Sequence, residues 1–156
     1  MRTRTRGVAV VENVIEIARS PEDVFDYWVD LGREPEWNPK AKRVEKLTGG
    51  PIGLGTRFEA EYLRGEAMTI EYVLFERPVA WETVGRSPRL DVKGAGRITT
   101  TERGTRLVMR MELSPRGGLR LSQPILGRFM RQQQERNLAA IRQALEGDDA
   151  NAGRSP

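Results

Sequence analysis

Between residues 19 and 30 the chain reads Arg19-Ser-Pro-Glu-Asp-Val-Phe-Asp-Tyr-Trp-Val-Asp30. Ser20 stands before Pro21, and Asp23 follows three residues later. This is the usual signal for a helix start, with a side-chain cap, a proline in the first turn and an acid near the positive end of the helix dipole. Four apolar residues then recur at helical spacing: Val24, Phe25, Trp28 and Leu31. The stretch therefore predicts a short helix that buries one face.

The segments on either side complete a recognisable order of elements. The preceding segment, Glu12-Asn-Val-Ile-Glu-Ile17, alternates in polarity and predicts a strand. The segment Pro35-Glu-Trp-Asn-Pro39 predicts a one-turn helix limited by its two prolines. The glycine-rich run from Gly49 to Gly55 is followed by Thr56-Arg-Phe58, which opens a strand rather than a helix. It therefore predicts a hairpin turn and not a phosphate-binding loop.

From Ala41 onward the apolar residues recur every second position, and short turns separate the runs. This predicts an antiparallel meander with one apolar face. The alternating apolar set includes Phe58, Ala60, Tyr62, Met68, Ile70, Tyr72, Leu74, Trp81, Leu107, Met109, Met111 and Leu113. Gly94 and Gly96 suggest a bend or bulge in the strand that contains them. The last long element, roughly Gln123 to Glu146, predicts an amphipathic helix with Leu126, Met130, Ile141 and Ala144 on its apolar face.

This order, which is strand, capped short helix, second short helix and glycine hairpin, resembles the opening of the START-like or Bet v 1-like superfamily. Within it, the nearest branch is the polyketide cyclase/dehydrase and lipid-transport proteins. The resemblance covers roughly Val11 to Glu146. It implies an α+β helix-grip fold, in which a curved antiparallel sheet of about six or seven strands wraps round the long C-terminal helix. It also implies a hydrophobic cavity between the sheet and that helix.

Composition limits the chemistry. The chain has 156 residues, 38% hydrophobic and 31% charged, which predicts one globular domain at 7–147 with disordered tails at 1–6 and 148–156. The absence of His and Cys removes the commonest general base and metal ligands, so we expect no metal and no cofactor. The net charge of +4 is spread among interleaved signs, which argues against nucleic-acid binding. We expect a cytoplasmic monomer or weak homodimer without integral membrane association.

Strand parity separates the charged residues from the apolar ones. The following ionisable residues occupy outward positions: Arg57, Glu59, Glu61, Glu71, Glu82, Arg97, Arg110 and Glu112. On the long helix, Asn137 lies within the apolar arc, and a buried amide needs a hydroxyl, a water or a ligand as partner. The inward residues that we predict to bind a ligand are Asn13, Trp28, Phe58, Tyr62, Ile70, Tyr72, Trp81, Thr83, Met109, Met111, Met130, Asn137 and Ile141.

Two motifs admit both a structural and a functional interpretation. In the structural interpretation, which we favour, the Trp37 indole fills the space where the two short helices meet the sheet, and Asn38 caps or turns the chain. In the functional interpretation, both residues lie at the mouth of the cavity. Three arginines in the predicted rim loops are either ordinary solvated residues, the reading we favour, or a site for a carboxylate or phosphate head group: Arg64, Arg86 and Arg89.

The function that these features favour is binding of a small hydrophobic or aromatic ligand, such as a lipid, a quinone or a polyketide. Met68, Met109 and Met111 would let such a pocket adapt its shape. The alternative is a polyketide cyclase or aromatase-like enzyme, with Tyr62, Tyr72, Arg57 and Arg110 as candidates for moving protons. A third possibility is a co-chaperone or interaction module, and the only feature that favours it is the net positive charge.

Overall fold

A computed structural model describes residues 7–152 and, within that range, all side chains except those of residues 120, 122, 123 and 148–152. Seven strands and three α-helices make up the fold. They are β1 (Ala9–Ile17), α1 (Pro21–Val29), α2 (Glu34–Trp37), β2 (Ala41–Lys46), β3 (Arg57–Tyr62), β4 (Met68–Glu76), β5 (Ala80–Arg86), β6 (Leu90–Thr101), β7 (Gly104–Pro115) and α3 (Gln123–Ala152). Two 3₁₀ turns precede α2 and α3, at Leu31–Arg33 and Gly117–Ser122.

The strands form one antiparallel sheet in the order β1-β7-β6-β5-β4-β3-β2. Every neighbouring pair except β1–β7 is consecutive in the chain, as expected for a meander joined by short turns. The sheet is a curved half-barrel, and α3 packs against β1 and α2 across its concave side. The predicted helix-grip fold, with two short helices after the first strand, is confirmed.

The first helix is built as the sequence predicts. The backbone N–H of Asp23 donates to the Ser20 hydroxyl over 3.2 Å, and Pro21 occupies the first turn. Val24 and Phe25 are fully buried. The second helix begins at Glu34, with Pro35 in its first turn, and ends at Trp37. The Gly49–Gly55 run joins the antiparallel pair β2–β3, which confirms a hairpin connection.

The glycines of β6 do not mark a bulge, so that part of the prediction, a bend or a bulge, was wrong. The register of β6 with both neighbours runs without a shift. Instead, Gly96 lies opposite Trp81, and a Cβ at Gly96 would overlap the indole. A Cβ at Gly94 would lie 2.7 Å from the Thr83 hydroxyl. These glycines provide room for large inward side chains on the neighbouring strand.

A bulge lies on β4 instead, where the register with β5 shifts between Tyr72 and Leu74. The extra residue reverses the parity of the strand beyond it. Phe75 therefore pairs with Trp81 and packs on the core, whereas Leu74 pairs with Glu82. The prediction that Leu74 continues the inward set of β4 was wrong for this reason.

None of the ionisable residues predicted to face outward on the strands is buried. Arg57, Arg97 and Arg110 are exposed, and Arg110 lies 3.2 Å from Glu112 on the same side of β7. Within residues 7–152, no helix is long and apolar enough to cross a bilayer. Helix α3 continues five residues beyond Gly147, into the tail predicted at 148–156. The tail predicted at 1–6 and the last four residues of the C-terminal one lie outside the described residues.

Candidate functional site

The residues predicted to bind a ligand fall into two groups in the structure. Eight belong to the main core cluster or pack directly on it: Trp28, Phe58, Tyr62, Ile70, Tyr72, Trp81, Met109 and Ile141. The other five lie outside that cluster: Asn13, Thr83, Met111, Met130 and Asn137. Of these five, only Asn137 is buried, and the other four are half-buried. The structure thus brings the aromatic residues together in the core, whereas the three polar residues of the set, Asn13, Thr83 and Asn137, lie on β1, β5 and α3.

Three indoles form a continuous stack in the interior. The Trp28 ring lies 5.1 Å from that of Trp37 and 5.9 Å from that of Trp81, with interplanar angles of 21° and 29°. Phe25 meets Trp81 edge to face at 5.4 Å. Stacked and edge-on rings of this kind add to the stability gained by burying them. Trp37 therefore plugs the junction of α1, α2 and the sheet, which agrees with the structural interpretation of this residue.

A buried carboxylate, which we had not predicted, lies where α2 meets β3 and α3. Glu34 Oε1 accepts a hydrogen bond from Asn38 Nδ2 over 2.7 Å, and Oε2 accepts one from the Tyr62 hydroxyl over 3.4 Å. Asn38 Oδ1 in turn accepts from Gln133 Nε2 of α3 over 3.3 Å and from the backbone N–H of Lys40 over 3.1 Å. We call Glu34, Asn38, Tyr62 and Gln133 the Glu34 network.

Burial dominates the electrostatics of this network. Removal from water raises the pKa of the Glu34 carboxyl, while the hydrogen bonds from Asn38 and Tyr62 act in the opposite direction. Burial, and next the nearby Glu34 charge, raises the pKa of the Tyr62 phenol, so Tyr62 stays protonated and serves as a donor. A carboxyl whose pKa is raised by burial holds a proton more readily than an exposed one, and perturbed carboxyls of this kind are candidates for acid–base roles.

Four buried polar side-chain atoms have no hydrogen-bond partner within the described protein: Asn13 Oδ1, Trp37 Nε1, Gln134 Nε2 and Gln134 Oε1. Gln134 is only 5% exposed, so its whole amide is withdrawn from water. Asn13 lies at an inward position of β1, opposite Met109. These atoms belong to β1, α2 and α3, and α3 packs against both of the other two elements. Each such atom costs about 1–3 kcal/mol, which is a large penalty for a polar group that serves only the fold.

Two surface pockets are lined by described residues, and both lie away from the space between the sheet and α3. One, of about 360 Å³, is on the outer face of β4–β7 and includes Glu82, Lys93 and Arg110. The other, of about 660 Å³, lies between the β5–β6 turn and the segment before α3, and includes Arg89 and Arg116. The interior cavity implied by the resemblance therefore stays a prediction.

Sequence reasoning missed two residues for different reasons. Glu34 stands in a charged segment beside Pro35, and no periodicity marks its carboxyl as buried. Gln134 could have been found, because it precedes Asn137 by three residues and so shares the helical face of that residue. Tyr72 carries no unpartnered group, since its hydroxyl donates to the Val29 carbonyl over 2.8 Å.

Solved structures share this architecture at low sequence identity. The di-domain ARO/CYC StfQ from the steffimycin biosynthetic pathway aligns with a TM-score of 0.77 at 15% identity, over 94% of this chain and 54% of that one. This chain thus spans about half of the di-domain protein. SA2116 from Staphylococcus aureus, a protein of unknown function, aligns with a TM-score of 0.73 at 13% identity, over 92% and 96% of the two chains.

Ara h 8.0201 aligns with a TM-score of 0.69 at 15% identity, over 90% of this chain and 99% of that one. At these identities the likeness establishes the fold alone. No curated protein is significantly similar to the chain in sequence. The family model described as "Polyketide cyclase / dehydrase and lipid transport" matches residues 8–146, nearly the whole described domain. The chain therefore belongs to the polyketide cyclase/dehydrase and lipid transport family.

Proposed function

We propose that this protein binds a small hydrophobic or aromatic ligand, such as a lipid, a quinone or a polyketide, between the sheet and α3. The observation that carries the proposal is the buried amide of Gln134, which has neither a donor nor an acceptor partner. A ligand that supplies both partners recovers the free energy lost by burying that amide. The family, whose description includes both cyclases and lipid transport, agrees with a hydrophobic ligand.

The chemistry of the unpartnered atoms narrows the ligand class. Trp37 Nε1 and Gln134 Nε2 are donors, whereas Asn13 Oδ1 and Gln134 Oε1 are acceptors. A matching ligand has an apolar body with neutral groups that accept and donate, as quinone carbonyls and phenol hydroxyls do. The stack of Trp37, Trp28 and Trp81 makes the interior on this side of the sheet rich in aromatic surface. Apolar pockets with a few placed polar groups are typical of small-molecule sites.

Entry of a ligand requires movement of α3. Leu126 and Met130 in the first half of α3 are only half-buried, whereas Leu138, Ile141 and Leu145 in the second half are buried. The first half is therefore the part that can move away from the sheet at the smaller cost in buried apolar surface. Unbranched methionines such as Met109 and Met130 adjust to a new neighbour more readily than branched side chains.

Tryptophan fluorescence tests this proposal, because all three indoles lie in the stack. We expect at least one of three ligands to shift or quench the emission saturably: palmitate, a short-chain benzoquinone or a polycyclic aromatic polyketide. Gln134→Leu should weaken that binding about tenfold, since two hydrogen bonds are lost. Gln132→Leu, a change of the same size at an exposed position two residues earlier, is the matched control. No response to any of the three in a folded sample would contradict the proposal.

Catalysis is the second candidate, and the Glu34 network is the observation that favours it. Arg57 and Arg110 are exposed on the outer face of the sheet, and Tyr72 is bonded to the backbone, so they do not suit the role considered for them. Tyr62 remains, in contact with a carboxyl of raised pKa. In an aldol ring closure, the carbon next to one carbonyl loses a proton and the oxygen of the attacked carbonyl gains one. Glu34 and Tyr62 together can accept that proton and return it.

The variant Glu34→Gln separates the two candidates. If the protein is a cyclase, Glu34→Gln should abolish conversion of an aromatic polyketide precursor while fluorescence still reports its binding. If conversion is absent in the wild-type protein although the precursor binds, the protein is a binding protein and the catalytic candidate fails. Glu36→Gln, which changes an exposed carboxylate on the same helix, controls for the loss of charge.

A further inference from the structure

An exposed apolar stripe runs along the start of the last helix. Leu121, Ile125 and Phe129 are four residues apart, and 90%, 73% and 45% of their surfaces are exposed. Leu121 belongs to the 3₁₀ turn before α3, and the other two belong to α3 itself. Ile125 and Phe129 are four residues apart on α3 and therefore lie one above the other, and Leu121 precedes them in the 3₁₀ turn. We call these three residues the Leu121 stripe.

The charges around the stripe are mainly positive, although Arg116 is ion-paired with Asp91 (3.0 Å between Arg116 Nη2 and Asp91 Oδ1) and Glu135 follows one turn after Arg131. Segment 113–134 contains four arginines, Arg116, Arg120, Arg128 and Arg131, and no Asp or Glu. Its formal charge of +4 equals that of the whole chain, so the rest of the protein is neutral on balance. Arg128 and Arg131 are exposed on the same turns of α3 as the stripe. The ammonium group of Lys40 lies 4.5 Å from the Phe129 ring centroid, which adds a further cation at this end.

We propose that the Leu121 stripe and its flanking arginines dock the protein on an anionic lipid bilayer. The apolar side chains enter the boundary between head groups and acyl chains, and Arg128 and Arg131 bind lipid phosphates. Among the described residues no helix is able to span a bilayer, so the association is peripheral. This inference is independent of the proposed ligand, because the stripe faces away from the packed side of α3.

A lipid surface fits better than a folded protein partner for a physical reason. Exposed apolar residues with a mainly cationic flank are typical of helices that lie in the plane of a membrane interface. Protein interfaces instead combine an apolar centre with a polar rim. The acidic leaflet attracts each nearby arginine enough to raise partitioning about fivefold per residue.

Vesicle sedimentation tests the inference with the intact protein. Vesicles of phosphatidylcholine with about 30% phosphatidylglycerol should bind the wild-type protein at least fivefold better than vesicles of phosphatidylcholine alone. Raising the salt concentration to about 0.5 M should release it. Binding that is equal for both vesicle types, or absent from both, would overturn the proposal.

Two variants separate the apolar contribution from the charge. Leu121→Ser/Ile125→Ser/Phe129→Ser should reduce partitioning at least tenfold, since three apolar insertions are lost. Val10→Ser/Val14→Ser is its control, because these two valines are exposed on the outer side of β1. Arg128→Glu/Arg131→Glu should also abolish binding, whereas Arg97→Glu/Arg106→Glu on the sheet should bind nearly as the wild-type protein does. Circular dichroism establishes that each variant folds.

Size-exclusion chromatography of the same variants tests whether a second copy of the chain, rather than a lipid surface, covers the Leu121 stripe. Concentration-dependent dimerisation that the triple serine variant abolishes would assign the stripe to a second copy of the chain and overturn the membrane proposal. The membrane proposal is also overturned if the triple serine variant and the Val10/Val14 control bind anionic vesicles equally well.

Discussion

The two halves of α3 differ in what they bury. In the second half, Leu138, Ile141 and Leu145 are at most 4% exposed. That half is also tied to the chain segment between β1 and α1: Glu146 Oε1 accepts from the Ala18 backbone N–H over 3.0 Å, and the Leu145 carbonyl accepts from Arg19 over 2.7 Å. The first half exposes Ile125 and Phe129 and is only partly buried at Leu126 and Met130. Between them lie the buried amides of Gln134 and Asn137.

This difference indicates that the two halves of α3 have different roles. The second half supplies apolar burial and holds the helix on the sheet. The first half contributes less to stability and carries the groups that we assign to the lipid surface, and the Gln134 amide that we assign to ligand binding lies at its end. Regions that move or bind are commonly drawn from the less stable parts of a fold, and the helix follows that pattern.

The largest expected effect comes from removing an apolar side chain in the second half. Ile141→Ala should lower the free energy of unfolding by about 2–5 kcal/mol, because a fully buried side chain leaves a cavity. Met130→Ala in the first half should cost about 1 kcal/mol or less, since Met130 is already half-exposed. Urea denaturation of both variants measures the difference. Equal losses would show that the two halves are packed alike.

A change at the boundary of the halves should increase stability. Gln134→Leu should raise the free energy of unfolding of the free protein by about 1–3 kcal/mol, because it removes a buried amide without partners. Gln132→Leu, at an exposed position, should change it by less than about 0.5 kcal/mol. The same denaturation experiment reports both values. Destabilisation by Gln134→Leu would mean that the amide is bonded in the folded protein and would remove the main support for a ligand site.

The smallest effect is expected from Glu34, and it depends on pH. The folded-state pKa is raised above the ordinary 4.5, so protonation of Glu34 favours the folded state. That contribution is complete below pH 4.5 and is lost as the pH rises through the folded-state value. Glu34→Gln stays neutral and should gain stability over the wild-type protein as the pH rises. The difference in unfolding free energy between about pH 4 and pH 8 measures this. A gain that falls with rising pH would contradict the sign of the shift.

The sequence was a good guide wherever one local rule decided the structure. The cap at Ser20 correctly predicted where α1 begins. The spacing of Leu126, Met130 and Ile141 predicted α3, and the helix begins at the predicted residue. Strand parity correctly predicted that the charged side chains lie on the outer face of the sheet, because its buried inner face does not tolerate charges.

Prediction failed where a contact between distant segments decides the outcome. Leu74 and Phe75 are both apolar, so nothing in the sequence shows that a bulge turns the second inward. Gly96 was interpreted as a possible bulge, whereas the structure shows that it makes room for Trp81 on the neighbouring strand. The burial of Glu34 depends on β3 and α3 covering a segment that looks exposed in the sequence. Such features require the tertiary arrangement, which local patterns do not contain.

Amide hydrogen exchange along α3 tests the central claim most directly. In the free protein, we expect amides of residues 126–134 to exchange at least about tenfold faster than those of residues 138–146, because the first half opens more readily. The ligand with the largest fluorescence response should then slow exchange mainly in residues 126–134. Equal protection of both halves, unchanged when that ligand binds, would contradict the account.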